Sequence, residues 1–494
     1  MASTLPKLPL FDAIARHNPD STLAVHSLSG RTFKYGELLG DVCKARNKFQ
    51  QAAGKEDLNG DRIAFLVENS YDYVVTLLAA FAARAIAIPL SPGFPAAELQ
   101  YILDQSEASL LVSSAKFASK ASEVLATELS VKPAFLQLEK HQGGSAHEQV
   151  SLENEDAGNA AMMLYTSGTT NRPKGVLLPS SVLTAQSQSL MQAWEYSPAD
   201  RLLHVLPLHH IHGTVNAILT PLFAGSSIEF MFPFNPDKVW RRFAAPFLPA
   251  EEGKPLPEKI TFFTVVPTVI SGSAALPTPV KKAWADLSRG NILLERYGMT
   301  EVGMALSCGL GFADRVDASV GWPLPSVQAR LVDVDSGDVI QPGQEIDAQG
   351  RERSGEIQLR GPTIFREYWR NPTATASEFV EGEDGLGKWF KTGDVAVRRP
   401  VPSAGGSGHE WASGDMYFIQ GRKSADIIKS GGERSALSRS SASCSPSPRD
   451  RLVNYKIPQV LRVVDDIPRN AMGKINKKQL VKAVFAEEFS GDEM

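Results

Sequence analysis

The stretch Leu164-Tyr-Thr-Ser-Gly-Thr-Thr-Asn-Arg-Pro-Lys-Gly-Val-Leu-Leu-Pro179 decides how the rest of this chain is read. An apolar run from Ala160 to Tyr165 leads into it, Thr166 to Asn171 bring no large side chain, and Val176 to Leu178 resume the apolar pattern. That layout predicts a strand, a hydroxyl-rich loop and a second strand. Such a loop presents backbone N–H groups and Ser/Thr hydroxyls at close range, which suit phosphate oxygens, and Lys174 adds a movable positive charge. A surface turn draws on the same residue types, so the loop's neighbours must decide between the two readings. The spacing from glycine to lysine is not that of a Walker P-loop.

Bulk properties narrow the field. A chain of 494 residues is too long for one ordinary core, so at least two domains are expected. A net charge of −4 gives no electrostatic case for nucleic acid or an anionic membrane as partner. Cys43, Cys308 and Cys444 are widely separated, match no metal spacing and read as reduced thiols. Met1 to Asp20 carries neither a long apolar core nor an arginine bias, and Gly491 to Met494 is no peroxisomal address. No apolar run reaches bilayer length, so a cytoplasmic protein without a membrane span is the expectation.

Strand-like and helix-like stretches alternate on either side of the loop. A helix is expected from Thr32 to about Ala52, a strand at 62–67, a helix at 71–83, a strand at 85–90, a helix at 96–105 and a strand at 108–112. After the loop, Ser180 or Ser181 is placed to cap a helix running to Trp194. This alternation argues for a doubly wound α/β sheet. Leu208-His-His-Ile-His-Gly213 puts three histidines in four residues, but no acidic or thiolate partner stands at zinc-ligand spacing.

The loop resembles the signature loop of the acyl- and adenylate-forming superfamily, which includes acyl-CoA synthetases, luciferases and peptide-synthetase adenylation domains. Asn171 stands where that family usually has glycine, and Asn is the residue that best tolerates a left-handed backbone after glycine. Further motifs follow in the family's order: Leu208 to Gly213, Val269 to Pro277, Leu293-Leu-Glu-Arg-Tyr-Gly-Met-Thr-Glu301, Gly355 to Pro362, Trp389 to Asp394, Gly421-Arg422, and Ile467 to Lys478. The paired His209 and His210 resemble the malonyl-CoA synthetase branch.

The resemblance implies an α/β fold with a large N-terminal AMP-binding domain over 1–420, made of doubly wound sheets and a β-rich subdomain. A small α+β lid domain would cover 421–494 and rotate about the hinge at Arg422. It also implies an ATP-dependent acid–thiol ligase, with a small carboxylic acid, ATP and coenzyme A as substrates, Mg²⁺ as cofactor and a place in fatty acid metabolism. Thr166, Ser167, Gly168, Thr169, Thr170 and Lys174 would hold phosphates. Ser273 and Ala274 would contact adenine, Tyr297 would stack on it, and Gly298 and Met299 would complete that wall. Asp394 and Arg422 would hold the ribose, Thr300 would meet the α-phosphate, and Glu301 and Thr170 would bind the metal. His210 would line the junction of acid and ATP, and Lys474 would be the catalytic lysine.

Two places depart from the family. The join at Pro267–Ser271 is short, and 434–450 is a Ser/Arg/Pro-rich run whose composition cannot build a core, so disorder and an incomplete C-terminal domain are expected there. Pro400 to Gly414, rich in Ser, Gly and Pro, reads as a flexible excursion.

Arg296, immediately before Tyr297, falls at the floor of the acid pocket in the family. A buried guanidinium needs a partner, and the far carboxylate of malonate or methylmalonate would supply one with His209 nearby. Pairing of Arg296 with Glu295 is the plainer alternative. The competing functions are a ligase for a monocarboxylic fatty or aryl acid, and a nucleotide-binding relative without catalysis.

Overall fold

The helix Tyr71–Ala82 is buried along all of its twelve residues, as its nearly continuous apolar sequence requires. Tyr71 stacks on Phe33 with ring centroids 4.0 Å apart, and its hydroxyl donates to Asp41 at 2.9 Å. In the computed structural model the described residues are 4–153, 157–166, 172–249, 256–263, 278–287, 290–423, 427–430 and 433–436. They fall into two compact units, and the chain passes between them more than once. The described residues within 1–265, 299–304 and 362–377 form the first, and those within 278–298, 305–361 and 378–436 form the second.

The first unit holds two mostly parallel sheets. In one, the strands Ile86–Pro89, Arg62–Leu66, Leu110–Ser114 and Ala134–Leu138 lie side by side and parallel. Ala161–Thr166 extends that sheet in parallel, Lys174–Pro179 turns back antiparallel to it, and the short strand Glu367–Tyr368 closes the edge. The other sheet runs Phe262–Phe263, Arg201–His204, Ser227–Phe230, Thr22–His26, with Thr32–Lys34 antiparallel at its edge. The strands with near-continuous apolar sequence are the buried ones, as in other parallel sheets covered on both faces. The fold is α/β, as the alternation predicts.

The second unit is largely antiparallel. Val339–Ile340, Gln328–Asp333, Gly355–Arg360, Lys388–Arg399 and Phe379–Glu381 form one sheet in that order, and Met416–Arg422 also pairs with the long strand Lys388–Arg399. Its core gathers Cys308, Trp322, Val397, Ala412, Met416 and Phe418.

Three expectations are corrected. Thr32 does not start a helix; it lies in a strand, and the helix begins at Tyr35. There Glu37 accepts the Lys34 backbone N–H at 3.0 Å, a cap that the threonine hid from the sequence reading. Ser180 begins the next helix without a side-chain cap. The excursion at 400–414 is packed: Val401, Ala404, Trp411 and Ala412 join the second unit's core, and Asp314 accepts the Gly405 N–H at 2.7 Å. A few apolar anchors outweigh the loop-like composition.

Of the run expected to be disordered over 434–450, residues up to Ala436 form a strand, Glu433–Ala436, paired with Ile427–Ser430. Backbone hydrogen bonds hold such a hairpin whatever the side chains' polarity. The remainder, with Lys474 and most of the expected C-terminal domain over 421–494, lies outside the described residues, as do Ser167 to Thr170, Ser273 and Ala274.

Candidate active site

In the first unit the site is built where the hairpin meets its edge strand. Thr166 and Lys174 are register partners, so the phosphate-loop candidate is the connection of a tight antiparallel pair. Tyr101 anchors one side of that connection by donating its hydroxyl to the Pro173 carbonyl at 3.0 Å. The Lys174 ammonium sits over the Tyr368 ring, 4.0 Å from its centroid. The same tyrosine donates its hydroxyl to Glu301 Oε1 at 2.9 Å. Glu301 is only 6% exposed, and its backbone carbonyl accepts the Phe365 N–H at 2.7 Å.

The turn that carries Thr300 and Glu301 is forced by a glycine. Gly303 has φ +65°, and a Cβ there would stand 2.5 Å from the Gln186 side chain, which itself donates to the Thr363 carbonyl at 2.8 Å. Thr300 and Met299 are half-buried on this turn.

The histidine stretch runs into the π-helix His212–Leu219, a helix type that often marks functional positions. Tyr73 and Thr214 both donate to the Leu208 carbonyl at 2.8 Å, which fixes the backbone just before His209. Gly213 is required, since a Cβ would fall 2.2 Å from the Pro207 oxygen. The rings of His209 and His210 lie 4.3 Å apart, and Phe94 packs 5.5 Å from His209. Burial, reinforced by His210, pushes the His209 pKa down to about 3, so it is a neutral group at physiological pH. His212 is held by Asn216 at 2.6 Å.

In the second unit three sequence motifs converge on one carboxylate. Asp394, 1% exposed, accepts the Tyr297 hydroxyl at 2.7 Å on Oδ2 and the Arg422 Nε–H at 2.9 Å on Oδ1. Asp394 and Arg422 are register partners across the sheet, so the pairing is set by strand alignment. Around it, Thr392 donates to the Ile357 carbonyl at 2.8 Å, and the Gly393 N–H donates to Glu356 at 3.0 Å. Tyr297 is 3% exposed; burial first, and then the Asp394 charge, push its pKa well above the ordinary value. Arg296 and Gly298 flank it, half-buried.

Thus Lys174 and Glu301 are brought together in one unit, and Tyr297, Asp394 and Arg422 in the other. Each oxygen of the Asp394 carboxylate thus accepts from a protein donor, Tyr297 on one and Arg422 on the other. Tyr368 was not among the residues expected from sequence, because only sheet pairing brings it to Lys174. Among the described residues no cluster of three or more His, Cys, Asp or Glu side chains is arranged to hold a metal.

The AMP-binding enzyme profile matches residues 11–369. The chain belongs to the AMP-binding enzyme family. Among curated relatives, a CoA ligase of Gibberella moniliformis is 50% identical, covering 99% of this chain and 96% of its own length. That alignment runs over 582 positions, more than the 494 residues here, so the relative has residues without a counterpart in this chain. The mitochondrial malonate–CoA ligase of Homo sapiens is 34% identical over 86% of this chain and 83% of its own. Among solved structures, ATP-bound MatB from Rhodopseudomonas palustris superposes with a TM-score of 0.74 at 27% identity, covering 98% and 99% of the two chains. A malonyl-CoA ligase with methylmalonyl-CoA and AMP bound superposes with a TM-score of 0.62 at 28% identity, covering 88% and 86%. No helix among the described residues is long and apolar enough to cross a membrane.

Proposed function

We propose that this AMP-binding family member is an acid–CoA ligase acting on malonate, or methylmalonate, through an acyl-adenylate. A malonate carboxylate attacks the α-phosphorus of ATP; the bond to the leaving pyrophosphate breaks, and malonyl-AMP forms. The CoA thiol, losing its proton, then attacks the acyl carbon and AMP departs. Positioning and charge neutralisation carry both steps, since the protein need form no covalent bond.

The residues divide the work. Thr166 to Lys174 would hold the β- and γ-phosphates, Tyr297 the base, Asp394 and Arg422 the ribose, and Thr300 the α-phosphate. His209 and His210 would line the acid, and Lys474 would stabilise charge at the α-phosphate. Ser273 and Ala274 would contact adenine. Mg²⁺ commonly binds through one or two carboxylates plus substrate phosphates, so the buried Glu301 carboxylate, with Thr170, fits it. When bound, the metal supplies neutralisation of phosphate charge.

The observation that carries the substrate reading is the position of Arg296. It is half-buried and covalently next to Tyr297, whose hydroxyl is fixed to Asp394, so the acid's far end and the nucleotide would be read by adjacent residues. The relatives named for malonate support the same choice. The test is pyrophosphate release with ATP and malonate, methylmalonate, propionate or a long-chain acid. Arg296→Leu should lose about 2–5 kcal/mol of transition-state binding for malonate, the scale of stranding one partner of a buried charge pair, and much less for propionate. Equal loss for both acids removes the arginine from substrate reading. Release only with monocarboxylic acids, or none at all, would favour a fatty or aryl acid ligase or a binding protein.

A further inference from the structure

Tyr368 stands at the one described point where the phosphate-loop lysine and the candidate metal carboxylate meet. Its ring face carries the Lys174 ammonium at 4.0 Å, and its hydroxyl donates to Glu301 at 2.9 Å. A cation over an aromatic face at that range is attracted by the ring quadrupole, and a hydroxyl on a carboxylate is a charge-assisted hydrogen bond. One rigid side chain therefore spaces a cation and an anion that would otherwise be drawn together.

The tyrosine is itself closely held. It is 4% exposed, packs 4.9 Å from the Phe365 ring, and its backbone N–H donates to Thr375 Oγ1 at 3.0 Å. Its neighbours are tied to the phosphate hairpin by main-chain bonds: the Trp369 N–H donates to the Gly175 carbonyl at 2.7 Å, and the Arg366 N–H to that of Leu177 at 3.1 Å. Phe365 is bonded in turn to the backbone of Glu301. The segment 365–369 is thus a strap fastened at one end to the Glu301 turn and at the other to the Lys174 strand, with Tyr368 projecting between their side chains.

We propose that Tyr368 is a positioning residue that sets Glu301 for a divalent cation through its hydroxyl and parks Lys174 through its ring. This deepens the functional reading above and rests on it. Groups that orient a metal-binding carboxylate typically set metal affinity by about tenfold to a hundredfold. The two halves of the tyrosine therefore have separable effects.

The experiment measures equilibrium binding on the full chain. ATP binding is followed by calorimetry in EDTA, and Mn²⁺ binding to the ATP complex by the electron paramagnetic resonance signal of free Mn²⁺. Tyr368→Phe keeps the ring and removes the hydroxyl. It should weaken Mn²⁺ binding roughly tenfold to a hundredfold and leave the ATP affinity in EDTA within about twofold. Tyr368→Leu removes both and should also weaken ATP binding in EDTA. In a Glu301→Gln background, Tyr368→Phe should change Mn²⁺ binding no further. Parent-like Mn²⁺ binding by the Phe variant overturns the inference, as does an undiminished effect of that change in the Gln background. Equal loss of ATP affinity in EDTA for Phe and Leu overturns it too, because a packing defect would do that. A parent chain that binds no ATP at all overturns the functional reading itself, a result distinct from the others.

Discussion

Replacing Asp394 with alanine should destabilise the second unit by about 1–4 kcal/mol. The figure follows from what each donor is left with. The Tyr297 hydroxyl, on a side chain 3% exposed, loses its charged acceptor and keeps only the Thr392 hydroxyl beside it, and a poorly satisfied buried hydroxyl costs about 1–3 kcal/mol. The Arg422 side chain keeps 28% of its surface exposed, so its guanidinium can turn to solvent, and its loss belongs near the surface-pair scale of about 0–1 kcal/mol. Asp394→Asn retains an acceptor oxygen and should cost less than alanine. Tyr297→Phe removes the hydroxyl cleanly, so the double variant should cost less than the two single changes added together. The assay is urea denaturation of the four proteins, read as a double-mutant cycle, with coupling of about 1–2 kcal/mol expected. Asp394→Ala within about 0.5 kcal/mol of the parent, or strictly additive single effects, would falsify the claim that these three motifs hold one another. A separate functional arm compares ATP with 2′-deoxy-ATP: the parent should prefer ATP, and Asp394→Asn should lose that preference if the carboxylate reads the ribose.

Two further outcomes concern other parts of the first unit. His26 and His204 are each pushed down to about pKa 4 by burial, with Arg31 adding to the effect on His26, and His209 is pushed down to about 3. Below the ordinary value of 6.5 the unfolded chain takes up protons that the folded one refuses, so stability should be full above that pH and fall as pH drops toward 4. Urea midpoints at pH 7.5 and about 5.2, above the carboxylate range, should show this fall, and a flat profile would refute it. Glu229, 3% exposed, accepts Arg242 Nε–H at 2.6 Å and NH2 at 2.8 Å, with Arg201 at 3.6 Å. Glu229→Gln takes the carboxylate from the largely buried Arg242 guanidinium, while Arg201 keeps Glu258 at 2.7 Å, and should cost about 3 kcal/mol in the same assay, whereas Lys48→Ala at an exposed pair with Glu139 should be near neutral.

Much of the first unit was legible because its signals are local. Arg62–Leu66 and Leu110–Ser114 are short apolar runs between turn residues, and Tyr71–Ala82 is apolar except at Asp72 and Thr76, so period and length identify them without tertiary knowledge. The start of the Tyr35–Ala53 helix was missed because a threonine offers a cap that strand pairing with Thr22–His26 takes away. The packed loop at 400–414 was missed because composition averages over the few apolar residues that anchor it. Tyr368 carried no signal of any kind in its neighbourhood. Its place beside Lys174 appears only when the Val176–Tyr368 register is formed, a pairing between residues far apart in sequence.

The motif residues raise a deeper point about what a motif is. Tyr297, Asp394 and Arg422 were each read as a ligand contact, one at a time, from resemblance. The structure shows them bonded to each other, with Asp394 accepting from both of the others before any nucleotide is considered. The same holds for Lys174 and Glu301, which share Tyr368. Charged and polar groups buried for the sake of a ligand need internal partners when that ligand is away, because a buried group left unsatisfied costs more than its bonds return. Residues bonded in this way constrain one another directly. Changing any one of them should disturb its partners' positions as well as its own contact, and single substitutions should look more severe than the contact they remove.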